Sequence, residues 1–162
     1  MQRLKTRQQF QAVMDGVVVS RTAHFALHRL ALPPASSAET DASGAAEVAA
    51  PPLFADSASW IGALVPKRWA RRAVTRNAIK RQIYTVSAVH AESLLQAAHV
   101  VRLRSTFDRA AFPSATSEPL KRAVRAELEQ LLTRAASGGG RPPPRRTSRP
   151  AATPAAGGGA QP

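Results

Sequence analysis

The sequence of 162 residues contains no cysteine, which excludes disulfide bridges and thiolate metal sites and fits a reducing compartment. No apolar run approaches the roughly 20 residues that a membrane-spanning helix needs. The first 30 residues also lack the apolar core of a signal peptide. Two interpretations of this arginine-rich, acid-poor N-terminus stay open, namely a mitochondrial transit peptide and an ordinary docked helix.

Acidic residues are scarce, because the chain has 10 of them against 23 Lys and Arg. A nuclease that works through two metal ions needs clustered carboxylates. Glu127 and Glu129 would point about 200° apart on a helix, so they form no such cluster. Metal-ligand spacing is missing as well among the four histidines, which are His24, His28, His90 and His99. Without a Gly-rich phosphate loop or a nucleophile elbow, no catalytic centre is evident.

The chain does have a large positive charge, +13 with a pI of about 11.8. This charge predicts a polyanionic partner, either nucleic acid or an anionic membrane surface. The Ala/Ser/Pro-rich segment 31–58 holds four acids and no Lys or Arg, so the rest of the chain carries +17. We interpret residues 1–136 as one domain, with 31–58 as a disordered insertion and 137–162 as a disordered Arg/Pro/Gly-rich tail.

Apolar periodicity predicts three helices and three strands. Thr6 is expected to cap a helix that runs to Asp15 and ends at Gly16, and Ser117 is expected to cap the last helix. The other predicted elements are a strand at 23–32 within the β-branched stretch 17–32, a strand at 59–65, a central helix at 71–96 that could break near His90, and a strand at 99–103.

The stretch from Lys67 to Arg81 concentrates the charge, since seven of its 15 residues are Lys or Arg and no acid lies between Asp56 and Glu92. On a helix the residues from 76 onward separate into an apolar arc and a polar arc. The apolar arc consists of Ile79, Ile83 and Val86. The polar arc consists of Arg76, Asn77, Lys80, Arg81 and Tyr84. The plain alternative is a solvated basic face, but such faces usually interleave Glu with Lys or Arg.

Residues 65–83, VPKRWARRAVTRNAIKRQI, closely resemble the signature of the bacterial ribonuclease P protein component. That signature is a strand ending in Val, a Lys/Arg pair, and then A-V-x-R-N-x-x-K-R. The flanks agree in order and spacing with the family's opening helix, its first strand, the strand after the central helix and the final helix. The matching residues are Leu4, Lys5, Phe10 and Val13, then 24–30, 99–104 and 120–132.

The resemblance implies an α/β (α+β) two-layer sandwich with a small central mixed sheet, three helices and a left-handed βαβ crossover, an exception to the right-handed preference. It implies an accessory subunit of an endoribonuclease in the bacterial cytoplasm. Its partners would be the catalytic RNA and precursor tRNA, with no membrane and no protein partner required. The RNA, with Mg²⁺ that it mainly binds itself, would remove the 5′ leader, and the protein would hold no cofactor of its own.

The resemblance also implies two sets of functional residues, with no catalytic or metal-binding residue among them. The RNA-subunit-binding set is Lys67, Arg68, Arg72, Arg76, Asn77, Lys80 and Arg81. The leader-binding cleft, between the first helix and the sheet, is lined by Phe10, Met14 and His28. Phe10 could equally be core packing, and Asn77 could be a capping or core-network residue. The chain departs from the family at Ala78 and Tyr84, where Arg is common, and at Met14, where an aromatic residue is common.

Two other classes of function stay open. A non-enzymatic RNA-binding or ribosome-associated module could carry the same basic helix. A protein-only nuclease would cleave without an RNA subunit, and the missing carboxylate cluster disfavours it.

Overall fold

A five-stranded mixed sheet and three helices make up the folded part of the protein. The computed structural model describes residues 1–32, 53–54, 58–94, 96–108, 110–112, 114 and 117–137. The strands are β1 (Gln2–Arg3), β2 (Val17–Arg21), β3 (Phe25–Ala31), β4 (Trp60–Leu64) and β5 (Ala97–Leu103). The helices are α1 (Arg7–Asp15), α2 (Ala73–Val89) and α3 (Glu118–Ala136). The expected α+β fold with a small mixed sheet and three helices is confirmed.

The strands lie in the order β1-β4-β5-β3-β2. β3 pairs antiparallel with β2 and with β5, whereas β4 pairs parallel with β5 and with β1. Since β4 and β5 are parallel neighbours, α2 between them forms the crossover of a βαβ unit. The left-handedness of this crossover connection stays a prediction.

Alternate side chains of each strand point to opposite faces of the sheet and so separate two cores. Leu27 and Val101 face α2 and α3, while Val100 faces α1. The two longer helices bury the stripes that the sequence predicts, which consist of Ile79, Ile83 and Val86 from α2 and Leu120, Val124, Leu128, Leu131 and Leu132 from α3. Burying one such aliphatic side chain contributes about 1.5–3 kcal/mol. The helix pair and the sheet form the sandwich, and α1 covers part of the opposite face.

The predicted caps are confirmed. Thr6 and Gln9 form a reciprocal capping box, in which Thr6 Oγ1 accepts from the Gln9 amide at 3.2 Å and Gln9 Oε1 accepts from the Thr6 amide at 3.2 Å. At Gly16, where α1 ends, a Cβ atom would collide with the carbonyl oxygen of Arg29, so the glycine allows the chain to pass close to β3. Ser117 Oγ accepts from the Leu120 amide at 3.3 Å and caps α3.

The structure differs from the prediction chiefly in three places. The predicted strand at 23–32 corresponds to β3, but stretch 17–32 also contains β2, which forms a hairpin with β3. At the turn between them, Thr22 donates its amide to the Phe25 carbonyl at 2.9 Å. β1 is absent from the prediction, since two residues are too short to show periodicity. α2 ends at Val89 with His90 as its C-cap, so the helix stops at the predicted break near His90 and does not continue to 96.

The predicted insertion 31–58 is too broad at both ends. Ala31 is the last residue of β3 and pairs with Ala97. Leu53 and Phe54 pack on the folded domain, where the Leu53 carbonyl accepts from Gln9 Nε2 at 2.9 Å and the Phe54 ring lies 5.7 Å from that of Trp60. The rest of the predicted disordered insertion, and the predicted tail after residue 137, lie outside the described residues.

Candidate nucleic-acid interface

The polar arc of α2 lies at the surface, on a helix that is held by its apolar arc. Asn77, Lys80 and Arg81 are exposed, while Ile79 and Ile83 on the same two turns are fully buried. The cationic groups therefore project from a rigid element and not from a loop. Asn77 lies in the helix interior and is exposed, so it is neither a cap nor part of a buried network.

Among the described residues, no Lys or Arg of α2 lies within ion-pair distance of a carboxylate. Helix α3 is different, although it also carries several basic residues. Lys121 Nζ lies 2.6 Å from Glu118 Oε1, and Arg125 Nε lies 2.9 Å from Glu129 Oε1. The interleaved acids of α3 are typical of a solvated helix face. The cations of α2 thus have no described carboxylate within ion-pair distance to compensate their charge, and uncompensated positive charge is the property that attracts a polyanion.

The loop between β4 and α2 carries three more predicted contacts. The Pro66 carbonyl accepts from the amides of Trp69 and Ala70, at 3.1 and 3.2 Å, which makes a compact turn. Lys67 and Arg68 are exposed at this turn. Arg72 is the N-cap of α2 and is exposed, and no side chain caps the helix. The first amides of α2 and the side chains of the loop thus present positive charge at one end of the helix.

Arg76 differs from its neighbours because it is half-buried and bonded to the backbone. Its Nη1 donates to the carbonyl of Arg71 at 2.8 Å and to that of Ala70 at 3.0 Å. The guanidinium therefore holds the loop against the first turns of α2. Its contact with RNA stays a prediction, and its structural role is one that the sequence pattern did not indicate.

Arg3 is a cation of this surface that the sequence analysis missed. Its guanidinium carbon lies 4.3 Å from the centroid of the Tyr84 ring. β1 fixes this position through its parallel pairing with β4. Tyr84 follows Lys80 by one helical turn, so Arg3 extends the row of cations along α2. No local pattern could have indicated this, since the contact depends on a strand pairing across more than 50 residues.

Phe10, Met14 and His28 lie on the α1 side of the sheet, and their role in binding the leader stays a prediction. Phe10 and Met14 are half-buried and His28 is buried. Phe10 packs against Gly62, where a Cβ atom would approach Phe10 Cε1 to 2.6 Å. The glycine in β4 thus makes the space for the ring. Phe10 has both a packing contact and a surface left open, so the two interpretations of this residue both keep a structural basis.

His28 lies in a positive environment. Burial first, and then the charges of Arg102 and Arg21, lower the pKa of His28, although a hydrogen bond with the Met14 backbone acts in the opposite direction. The imidazole is therefore neutral near pH 7. Arg102 and Arg21 were not among the predicted cleft residues. The signal for Arg102 was its place in a largely apolar strand.

The described ranges contain no group of three or more His, Asp or Glu residues that could hold a metal ion. They also contain no helix with the length and apolarity to cross a membrane.

Comparisons with known proteins show what the chain is similar to. A ribonuclease P family profile matches residues 1–136. The ribonuclease P protein component of Burkholderia mallei (strain SAVP1) is 37% identical over 76 residues, which cover 47% of this chain and 56% of that protein. The one of Paraburkholderia xenovorans (strain LB400) is 36% identical over 76 residues, covering 47% and 55%. The chain thus spans little more than half the length of the curated relatives it matches. A solved structure of Staphylococcus aureus RNase P protein, 23% identical, gives a TM-score of 0.54 over 83% of this chain and 95% of that one, which shows the fold alone.

Proposed function

The chain belongs to the ribonuclease P protein component family, and we propose that it acts as the protein subunit of a ribonucleoprotein ribonuclease P. In this role it binds the catalytic RNA and the 5′ leader of precursor tRNA, and so assists removal of the leader in the bacterial cytoplasm. The observation that carries the proposal is the surface of α2, whose cations have no carboxylate partner among the described residues.

The surface of α2 is suited to a folded RNA. Lys80 and Arg81 project from a helix that is anchored by Ile79 and Ile83, so little backbone freedom is lost on binding. Each phosphate neutralised by such a cation releases condensed counterions, which favours binding and makes it depend on salt. Arg68 and Arg72 extend the surface around the N-terminal end of the helix, where the helix dipole also attracts anions.

The cleft beside α1 is suited to an unpaired strand. The ring of Phe10 offers a stacking surface, and Arg102 and Arg21 provide positive charge close to His28. A neutral His28 can both donate and accept a hydrogen bond, which suits the edge of a base or a sugar hydroxyl better than a phosphate. We assign the single-stranded leader to this cleft and the catalytic RNA to α2.

The hydrolysis itself is assigned to the RNA. The described residues offer no carboxylate cluster for Mg²⁺, so the metal ions of the reaction would be held mainly by RNA phosphates, and no chemical step passes through a side chain of this protein. The protein contributes positive charge and shape. By lowering the repulsion between two RNAs, it supports their association and the binding of metal by the complex.

The experiment is single-turnover cleavage of a precursor tRNA by the protein alone, by a bacterial ribonuclease P RNA alone at a low Mg²⁺ concentration, and by both together. We expect the mature 5′ end to form rapidly only in the mixture. Cleavage by the protein alone would identify a protein-only nuclease. Tight RNA binding without stimulation by RNA subunits from several bacteria would identify a non-enzymatic RNA-binding module.

A further inference from the structure

A pocket of about 350 Å³ lies beside the N-terminal end of α2, on the face of the sheet opposite the leader cleft. We call it the Trp69 pocket. Its walls come from the loop before α2, the first turns of α2 and the segment that follows β5. The residues that matter here are Trp69, Phe107 and Phe112 in the wall, with Arg68, Arg72 and Thr75 at the side of α2. No carboxylate is among the described residues that line the pocket, so it is aromatic with a positive edge.

The aromatic wall is held in place by contacts from other elements. The Phe107 ring stacks on the His24 ring at 4.0 Å between centroids, with 13° between the planes, and meets Phe112 edge to face at 6.0 Å. His24 in turn is held by Glu127 of α3, with 2.8 Å between Nδ1 and Oε2. The volume therefore exists before any ligand binds, and a flat ring could enter it without rearrangement of the wall.

Trp69 contributes its indole ring to this wall. The guanidinium carbon of Arg68 lies 5.1 Å from the Trp69 ring centroid, which leaves a cation beside the same ring. The pocket thus favours a flat ligand that stacks on the indole.

The edge of the pocket requires an anion. α2 begins at Ala73 after the N-cap Arg72, and no side chain accepts from its first amides. Over 17 residues the helix dipole places partial positive charge there. Arg68 and Arg72 are exposed next to these amides. A phosphate placed at this edge would lie close to a ring placed in the pocket.

We propose that the Trp69 pocket binds one unstacked nucleotide of RNA. The base stacks among Trp69, Phe107 and Phe112. Its phosphate lies at the N-terminus of α2 beside Arg72. Unpaired bases of loops and bulges are the usual targets of such aromatic pockets. The inference rests on the proposed function, and it adds that the catalytic RNA is recognised through an extruded base as well as through its phosphates.

The first test fills the pocket without changing charge. Thr75→Phe introduces a ring from the α2 side, and Thr133→Phe, at an exposed position of α3, is the matched control. Binding of the catalytic RNA is measured over a series of salt concentrations. We expect about tenfold weaker binding for Thr75→Phe at every salt concentration, as for loss of one stacked base. Binding by Thr75→Phe equal to that of Thr133→Phe would overturn the proposal.

A second measurement serves if Thr75→Phe does not fold. Tryptophan fluorescence is followed while the catalytic RNA is added to the wild-type protein and to Trp69→Phe. We expect stacking to quench the wild-type signal and the quenching to be lost in the variant, which keeps only Trp60. Equal quenching in both proteins would refute the pocket.

The two proposals fail in different ways. If the wild-type protein stimulates cleavage and Thr75→Phe binds RNA normally, the subunit role is supported and nucleotide binding in the Trp69 pocket is refuted. If Thr75→Phe loses affinity for RNA and the wild-type protein stimulates no cleavage, nucleotide binding in the Trp69 pocket is supported and the ribonuclease P role is refuted.

Discussion

The guanidinium of Arg3 lies over the ring of Tyr84, 4.3 Å from its centroid, and so joins the first strand of the chain to the basic helix α2. Arg3 is exposed and Tyr84 is half-buried. The aromatic ring holds the cation through its quadrupole and leaves the other side of the guanidinium to solvent. This contact brings a charge from the N-terminus to the surface that we assign to the catalytic RNA.

We expect Arg3→Ala to weaken binding of the catalytic RNA, because it removes a positioned cation from this surface. The slope of the logarithm of the binding constant against the logarithm of the salt concentration should become shallower by about 0.7–0.9 if one phosphate contact is lost. Binding at several salt concentrations measures both quantities. The control is Arg125→Ala, since Arg125 is paired with Glu129 on α3. An effect of Arg125→Ala as large as that of Arg3→Ala would mean that only net charge matters.

The double substitution of Lys80 and Arg81 by Ala should lower the salt slope further, by about 0.7–0.9 for each phosphate contact that is lost. Both side chains are exposed, so the free energy of unfolding should change by less than about 0.5 kcal/mol per residue. Salt-dependent binding and urea unfolding together check this. A salt slope equal to that of the wild type would show that the α2 cations are merely solvated.

Arg76→Ala should act mainly on stability. Its Nη1 donates to two backbone carbonyls, so its loss should lower the free energy of unfolding by about 1–3 kcal/mol. Urea unfolding measures this, with Lys80→Ala as the exposed neighbour that should leave stability unchanged. If Arg76→Ala were as stable as Lys80→Ala, the contacts with the carbonyls of Ala70 and Arg71 would carry no net stability.

The helices and central strands could be predicted from the sequence because their signals are local. Leu128 and Leu132 repeat at helical spacing, and Thr6 is a cap with its partner Gln9 three residues away. Arg3 and Tyr84 meet only because β1 pairs with β4, and such long-range pairing leaves no trace in a window of a few residues. Short-range patterns thus indicated the surface of α2 but not the residues that complete it.

Counting charges along the sequence does not show which contacts a single charged residue makes. It correctly separated the acid-free stretch around α2 from the rest of the chain, yet it could not distinguish Arg76, which donates to the backbone, from Arg81, which is exposed. The same holds for Phe54, which lies in a low-complexity segment but packs on Trp60. Composition describes a segment, whereas these contacts depend on where individual side chains reach.

Phe10→Leu should distinguish the leader platform from plain core packing. Leucine keeps an apolar contact with Gly62 but removes the stacking surface. In the assembled ribonucleoprotein we expect about tenfold weaker binding of precursor tRNA, as for loss of one stacked base, and unchanged binding of mature tRNA, which has no leader. Equal losses for both substrates would mean that Phe10 supports only the fold.

The stability of the protein should fall as the pH is lowered from 7 towards 4, because of His99. Burial and the nearby charge of Arg29 lower the pKa of His99 to about 4, while in the unfolded chain the imidazole titrates near 6.5. Between these values the unfolded state binds a proton and the folded state does not, so acid favours unfolding. When His99 is fully protonated in the unfolded state and neutral in the folded state, the free energy of unfolding is lower by about 3 kcal/mol.

Urea unfolding at pH 7.5 and pH 5 checks this, with His99→Gln as the comparison. The variant should lose less stability than the wild type over this interval, although His28, whose pKa is also lowered, acts in the same direction and remains. An equal loss in both proteins would assign the acid sensitivity to other groups.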